Sequence, residues 1–297
     1  MTTPAKSIEI PVGVAMTAPP PEPPRPVEAD YVEEDKLRLQ QQARARAFLL
    51  PFIGLALFCG VWSLFAHRPG ATLPGPLDTL QGSWHLLTHP FFDNGPNDKG
   101  LGLHILASLM RVGIGYSLAV LVGVSVGLVV GKIEMAQRAF DPLFQVLRTI
   151  PPLAWLPLSL ALFGEAQPSA IFVIFITALW PILINTAVGV SRIPREYENV
   201  AAIYQLRGWK YFRLILLPAA APFIFTGMRI SIGMAWLAIV AAEMLTGGVG
   251  IGFFIWDSWN SSRMSDIIIS IAYVGAVGFS LDRMVAYIGA RFGAKND

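Results

Sequence analysis

The sequence predicts an all-α polytopic membrane protein with about six transmembrane helices. Three observations carry that reading. Of 297 residues, 54% are hydrophobic and only 14% are charged, against about 25% charged in a soluble domain. Mean hydropathy is +0.55 over the whole chain. Apolar stretches long enough for a bilayer core, about 20 residues each, recur six times, and the lysines and arginines gather on alternate connections.

Residues 1–46 stand apart. Residues 1–30 hold eight prolines, including the run "PPPEPPRP". Such a segment buries no core and reads as a disordered, partly polyproline-II tail. No basic start, apolar run and small-residue cleavage site marks it as a secretory signal. Residues 31–46, "YVEEDKLRLQQQARAR", read as a polar helix at the membrane surface.

The membrane domain spans residues 47–290. The expected spans are Ala47–Ala66, His104–Gly131, Phe140–Phe163, Pro168–Val190, Pro222–Leu245 and Asp266–Gly289. The first carries Cys59, the single cysteine, so no disulfide framework or zinc-finger set exists within one chain. The second repeats small residues at Gly115, Ala119, Gly123, Gly127 and Gly131, a stripe that lets another helix approach closely. The third contains Pro151 and Pro152, which remove two backbone donors and break the helix.

Charge orients the set. Arg44, Arg46, Lys132, Arg138, Arg192, Arg195, Arg207, Lys210, Arg213, Arg291 and Lys295 fall on one side; Arg68, Lys99 and Arg263 fall on the other. Both termini, with the tail 291–297, are therefore expected in the cytoplasm, and the connections 67–103, 164–167 and 246–265 outside. The first outer connection holds the weakly amphipathic "GSWHLLTHPFF" and predicts a short surface helix. Its His85 and His89 lack a third metal ligand nearby. The stretch "GGVGIG" at 247–252 reads as a flexible outer turn, because a dinucleotide fingerprint needs a strand before it and a helix after it.

The longest cytoplasmic connection, 191–221, contains "IPREYENVAAIYQLRGWKYFRLILLP". Apolar or aromatic residues at Val200, Ile203, Tyr204, Leu206, Trp209, Phe212 and Leu216 form a broad helical stripe, ending at Pro218. It suits an interfacial anchor or a docking helix for a cytoplasmic partner.

Here the chain resembles the inner-membrane permeases of bacterial ABC importers. Their cytoplasmic motif is E-A-A, three residues, G, nine residues, I-x-L-P. Aligned on Ile215, Leu217 and Pro218, it places Asn199, Val200 and Ala201 at E-A-A and Gln205 at the glycine, so two signature residues differ; Gly208 falls three positions late. "LRTIPPLAWLPLSLALFG" (147–164) is similar to the third span of nitrate, taurine and alkanesulfonate permeases. "FTGMRISIGMAWLAIVAAEMLTGGVGIGFFIWDSWN" (225–260) and "QLRGWKYF" resemble the nitrate branch, with bicarbonate permeases near it. The resemblance implies the type I importer permease fold in the bacterial inner membrane and an assembly of this chain as a homodimer with two cytoplasmic ATP-binding subunits and an external substrate-binding protein. It implies an ATPase-coupling helix at Glu198, Asn199, Val200, Ala201, Gln205, Leu206, Arg207, Gly208 and Trp209. It implies a substrate such as nitrate or nitrite, with bicarbonate, cyanate, taurine or another sulfonate as alternatives.

No G-x-x-x-x-G-K-[ST] loop occurs, so this chain is expected to bind no cofactor, ATP and Mg²⁺ residing on the partner subunits. Nothing in it suggests a nucleic-acid partner. An intramembrane enzyme needs paired aspartates at depth, H-E-x-x-H or a Ser/His pair, and none is evident; no catalytic residue is expected. A membrane scaffold fits the docking helix but leaves the buried arginines without a role. Charges inside spans are costly and face a cavity or a partner. That selects Arg111, Arg148 with Thr149, Arg229 and Glu243 as candidates for a translocation path. Arg229 and Glu243 lie about 21 Å apart along one helix, so Glu243 is expected to pair across helices or shape an outer gate. Asp257, among Trp256, Trp259 and Asn260, could touch a binding protein or join an aromatic belt.

Overall fold

The computed structural model describes residues 49–70, 72–95 and 98–293. The Pro-rich tail, the polar helix at 31–46 and the charges Arg44, Arg46 and Lys295 lie outside the described residues. The chain divides into two units, 1–62 and 63–297. In the first, the described residues form most of α1 (Leu49–Ala66), an apolar helix of mean hydropathy 2.1. All that follows concerns the second.

Its elements are α2 (Pro76–Gly82), α3 (Trp84–Thr88), α4 (Leu101–Lys132), α5 (Glu134–Leu147), a 3₁₀ turn (Pro152–Trp155), α6 (Leu156–Phe163), α7 (Ala166–Ser191), α8 (Arg195–Ile203), α9 (Trp209–Thr246), α10 (Ile251–Asn260) and α11 (Met264–Gly293). Among the described residues the β-structure amounts to one isolated bridge, Asp93 with Lys99. The Lys99 ammonium there holds the Asp93 carboxyl below the usual carboxylate range.

Among the described residues, α1 and four helices of the second unit are long and apolar enough to cross a membrane, and α5 and the segment Pro152–Phe163, meeting at 94°, bring the number to six if the bent pair is one span. The helix break expected at Pro151 and Pro152, within the span Phe140–Phe163, is a corner between two limbs. Neither Pro151 nor Pro152 has an amide to continue the ladder, and Pro152 opens the new turn at a position where no donor is needed.

α7 is the central helix, half of its apolar window buried. α4 lies along one side of it. The small-residue stripe is the seam: a Cβ added at Gly115 would stand 2.8 Å from the Ile171 carbonyl, and one at Gly127 2.7 Å from that of Leu183. α9 lies along the other side, with Gly227 against the Pro181 carbonyl. Tyr116 Oη donates to the Met228 carbonyl at 2.8 Å, and Trp236 Nε1 to that of Val274 at 2.9 Å, joining α9 to α4 and to α11. In place of one short helix in the first connection there are two, α2 and α3, and Ser83 between them donates to Asp266 on α11 at 2.8 Å.

The connection 191–221 differs most from expectation. α7 runs to Ser191, α8 occupies Arg195–Ile203, and a helix begins again at Trp209. The predicted continuous stripe is split by a turn in which Gln205 and Gly208 have φ of 52° and 53°, a conformation that ends a right-handed helix. Nor does the helix stop at Pro218. A π-turn over Phe212–Leu216 precedes it. Widening the ladder by one residue accommodates the missing proline amide, so α9 runs without a break to Thr246.

Candidate functional site

Three groups of polar side chains punctuate the bundle, and each takes in residues singled out from sequence. The first lies where α8 approaches α4. Lys132, the last residue of α4, reaches Glu198 Oε1 at 3.4 Å and Tyr211 Oη at 3.2 Å, its ammonium 4.9 Å from the Tyr211 ring centre. α8 is amphipathic: Ala201 is buried, whereas Val200, Ile203 and Tyr204 are exposed, as is Trp209 at the start of α9, stacked on Phe212. The nine coupling candidates therefore do not form one helix. Glu198, Asn199, Val200 and Ala201 sit on α8; Gln205, Leu206, Arg207 and Gly208 form the turn; Trp209 opens α9. Together they make a short hairpin with an aromatic tip.

The second group is a cavity of about 290 Å³ between α7, α9 and the bend after α5, lined by Arg148, Trp155, Thr177, Trp180, Asn185 and Met234 among others. Pro181, also on its wall, leaves the Thr177 carbonyl without its intrahelical donor. Arg148 has no carboxylate partner among the described residues, so its guanidinium is available to an anion. Thr149 instead turns back, its hydroxyl donating to the Val146 carbonyl at 2.7 Å. Arg229, on the exposed side of α9, donates through Nε and Nη2 to Asp282 of α11 at 2.7 and 2.8 Å.

The third group lies at the opposite end of the bundle from α8. Glu243 is 1% exposed. Its Oε1 accepts from Arg111 Nη1 at 2.7 Å, its Oε2 from the Gly252 amide at 3.0 Å, and Ser108 Oγ donates to it at 2.8 Å. Arg111 also donates to the Val249 carbonyl at 2.7 Å. The Gly250 amide donates to His104 Nδ1 at 3.0 Å, and the Ile251 amide to Ser108 Oγ at 2.9 Å. Arg111 and Glu243 thus meet each other and fasten the glycine turn. That corrects the expectation of a flexible turn at 247–252: Gly250 and Gly252 lie so close to Glu243 and to the Val240 carbonyl that any side chain would collide. His104, Ser108 and Arg111 were missed as a set. Their i, i+4, i+7 spacing, one face of α4, is the signal that could have found them.

Residues 119–293 match the family of binding-protein-dependent transport system inner membrane components. The chain belongs to that family. It is a permease subunit of the ABC transporter class. Similar proteins include the nitrate import permease protein NrtB of Synechocystis sp., 56% identical over 80% of this chain and 86% of that one. The bicarbonate transport system permease protein CmpB of Synechococcus elongatus is 51% identical over 81% and 87%. Among solved structures, an inward-facing form of the MetNI methionine ABC transporter aligns with TM-score 0.52 and 15% identity, covering 63% of this chain and 95% of that one. That likeness concerns the fold, which the permease shares despite little common sequence.

Proposed function

We propose that this permease forms the membrane path of an ATP-driven importer of a small inorganic anion, nitrate or nitrite. The observation that carries the substrate is the similarity to nitrate import permeases over most of both chains. The Arg148 cavity supports it: a guanidinium without a carboxylate partner among the described residues offers donors that replace part of an anion's hydration shell. Two copies of the chain enclose the path, an external binding protein delivers the anion, and two ATP-binding subunits holding ATP and Mg²⁺ drive the cycle. The subunit sits in the bacterial inner membrane with both termini in the cytoplasm. Lys132, Arg138, Arg192, Arg195, Arg207, Lys210 and Arg213 at the α8 end support that orientation. The α8 hairpin, exposing Val200, Ile203, Tyr204 and Trp209, enters a cleft of the ATPase.

The mechanism follows from this geometry. ATP draws the two ATPases together and carries the α8 hairpins with them. α4, whose Lys132 meets Glu198 of the hairpin and Tyr211 of α9, transmits the movement along the bundle. The anion then passes Arg148 and Arg229. A second reading, bicarbonate, is favoured by the relatives named as bicarbonate permeases.

The test is ATP-driven uptake of labelled nitrate by proteoliposomes holding this chain, its ATPases and its binding protein. Nitrate uptake unaffected by excess bicarbonate or taurine is the expected result. Suppression by bicarbonate moves the substrate, and no flux from an intact complex removes the transport reading.

A further inference from the structure

The pair Arg229–Asp282 differs from every other charge pair in the bundle. It sits deep within two long apolar helices, yet its side chains are 54% and 34% exposed. The pair at the end of the bundle away from α8, Arg111–Glu243, is enclosed, its side chains 14% and 2% exposed. An ion pair open to lipid at that depth is strongly disfavoured, so this one faces a water-filled space or another protein surface. Its neighbours indicate which. Ile230 and Met234, one and five residues further along α9 and about 100–140° around it, line the Arg148 cavity. Thr226 is exposed one turn away on the same side. Arg229 therefore lies on the exposed surface of α9 that leads round to that cavity.

The geometry of the pair is informative. Nε and Nη2 each donate to a different oxygen of one carboxylate, the two-pronged arrangement in which a guanidinium takes a planar oxyanion. A carboxylate presents two coplanar oxygens sharing one negative charge. So does an edge of nitrate, nitrite or bicarbonate.

We infer that Asp282 is a built-in stand-in for the transported anion: it occupies the edge of Arg229 that a planar oxyanion takes during transport, and the two exchange. The inference rests on the importer reading, since it needs the exposed face of α9 to border the path. Solvent access makes the exchange feasible, because an exposed ion pair is held only weakly. It also has a purpose. A path lined by Arg148 and an unopposed Arg229 would bind an anion and keep it, whereas conduction requires binding weak enough for release. The competing carboxylate supplies the release.

The experiment uses the complete permease–ATPase complex in detergent without binding protein, with labelled nitrate in equilibrium dialysis. Asp282→Asn is expected to bind nitrate at least tenfold more tightly than the unaltered complex. Nitrite and bicarbonate should displace it. Adding Arg229→Ala should abolish the gain. An assembled Asp282→Asn complex with no gain, or a gain that survives Arg229→Ala, overturns the inference. Should Asp282→Asn fail to assemble, the exchange Arg229→Asp with Asp282→Arg restores the ion pair but sets a carboxylate on α9 beside the cavity. Loss of nitrate uptake is then expected, and full uptake overturns the inference. Uptake by the unaltered complex is measured in parallel. Its absence removes the importer reading itself, whereas its presence without the Asp282→Asn gain removes the inference alone.

Discussion

Glu243 of α9 and Arg111 of α4 stand 2.7 Å apart, nearly enclosed, and the same carboxylate holds the Gly252 amide. Removing one member of such a pair strands the other charge, at a cost of about 3–5 kcal/mol. Glu243→Ala should therefore lower the thermal unfolding midpoint sharply and release the turn at 247–252, seen as faster proteolysis there. Glu243→Gln, which still accepts from Gly252, should fall between Ala and the unaltered protein. Equal midpoints for all three would dismiss the pair as a fastening.

The α4–α7 seam depends on hydrogen atoms where other residues carry a side chain. Gly127→Leu places carbon against the Leu183 carbonyl and Thr186, and overpacking of this kind costs about 1–3 kcal/mol or more. Gly113→Ala, which meets open space on the same helix, should change stability by less than about 1 kcal/mol. Unfolding midpoints of the two variants in one detergent decide the matter.

In the hairpin after α8, Gly208 has φ 53° and ψ −125°, a region essentially closed to residues with a Cβ. Gly208→Ala should cost about 1–3 kcal/mol locally, shift Trp209, and reduce the anion moved per ATP hydrolysed. Gln205→Asn should preserve that ratio, because asparagine tolerates the left-handed conformation at φ 52°. Similar ratios for both variants would argue against a precise hairpin.

Lys132 and Glu198 are about half exposed, so their pair adds less than about 1 kcal/mol to stability. Its expected effect is mechanical. Lys132→Met and Glu198→Gln should each leave the unfolding midpoint in place and lower the anion transported per ATP. The double variant should be no worse than either single one, as expected for two groups serving one link. Strictly additive losses would separate them.

Much of this architecture was legible because the strongest constraints are local. Apolar length marked the spans, the four-residue rhythm from Gly115 to Gly131 marked the seam, and Pro151–Pro152 marked the bend. The hairpin was less legible. Apolar spacing from Val200 to Leu216 reads as one helix, and no rule of periodicity registers a left-handed Gln205 in the middle. Aligning Gln205 with a family glycine was the available clue, since glycine is what such a backbone favours. Pro218 misled for a related reason: a proline normally ends a helix, but the preceding π-turn lets this one continue. The Arg111–Glu243 pair was hidden by sequence distance. Only the fold brings α4 and α9 together, and either residue alone suggests a path-lining charge as readily as a fastening.

The right-angled meeting of α5 with Pro152–Phe163 also fixes a compass bearing. Neither limb is long enough to cross about 30 Å of hydrocarbon by itself. Arg148 stands at that corner, where Pro151 and Pro152 interrupt the backbone ladder. Hydrocarbon does not tolerate such a corner. Of all the rotations the subunit could adopt about the membrane normal, only those that turn Arg148 away from the acyl chains remain. Arg229 and Asp282 impose the same restriction from another helix. Before any partner is placed beside it, the permease already has a side that must never meet fat.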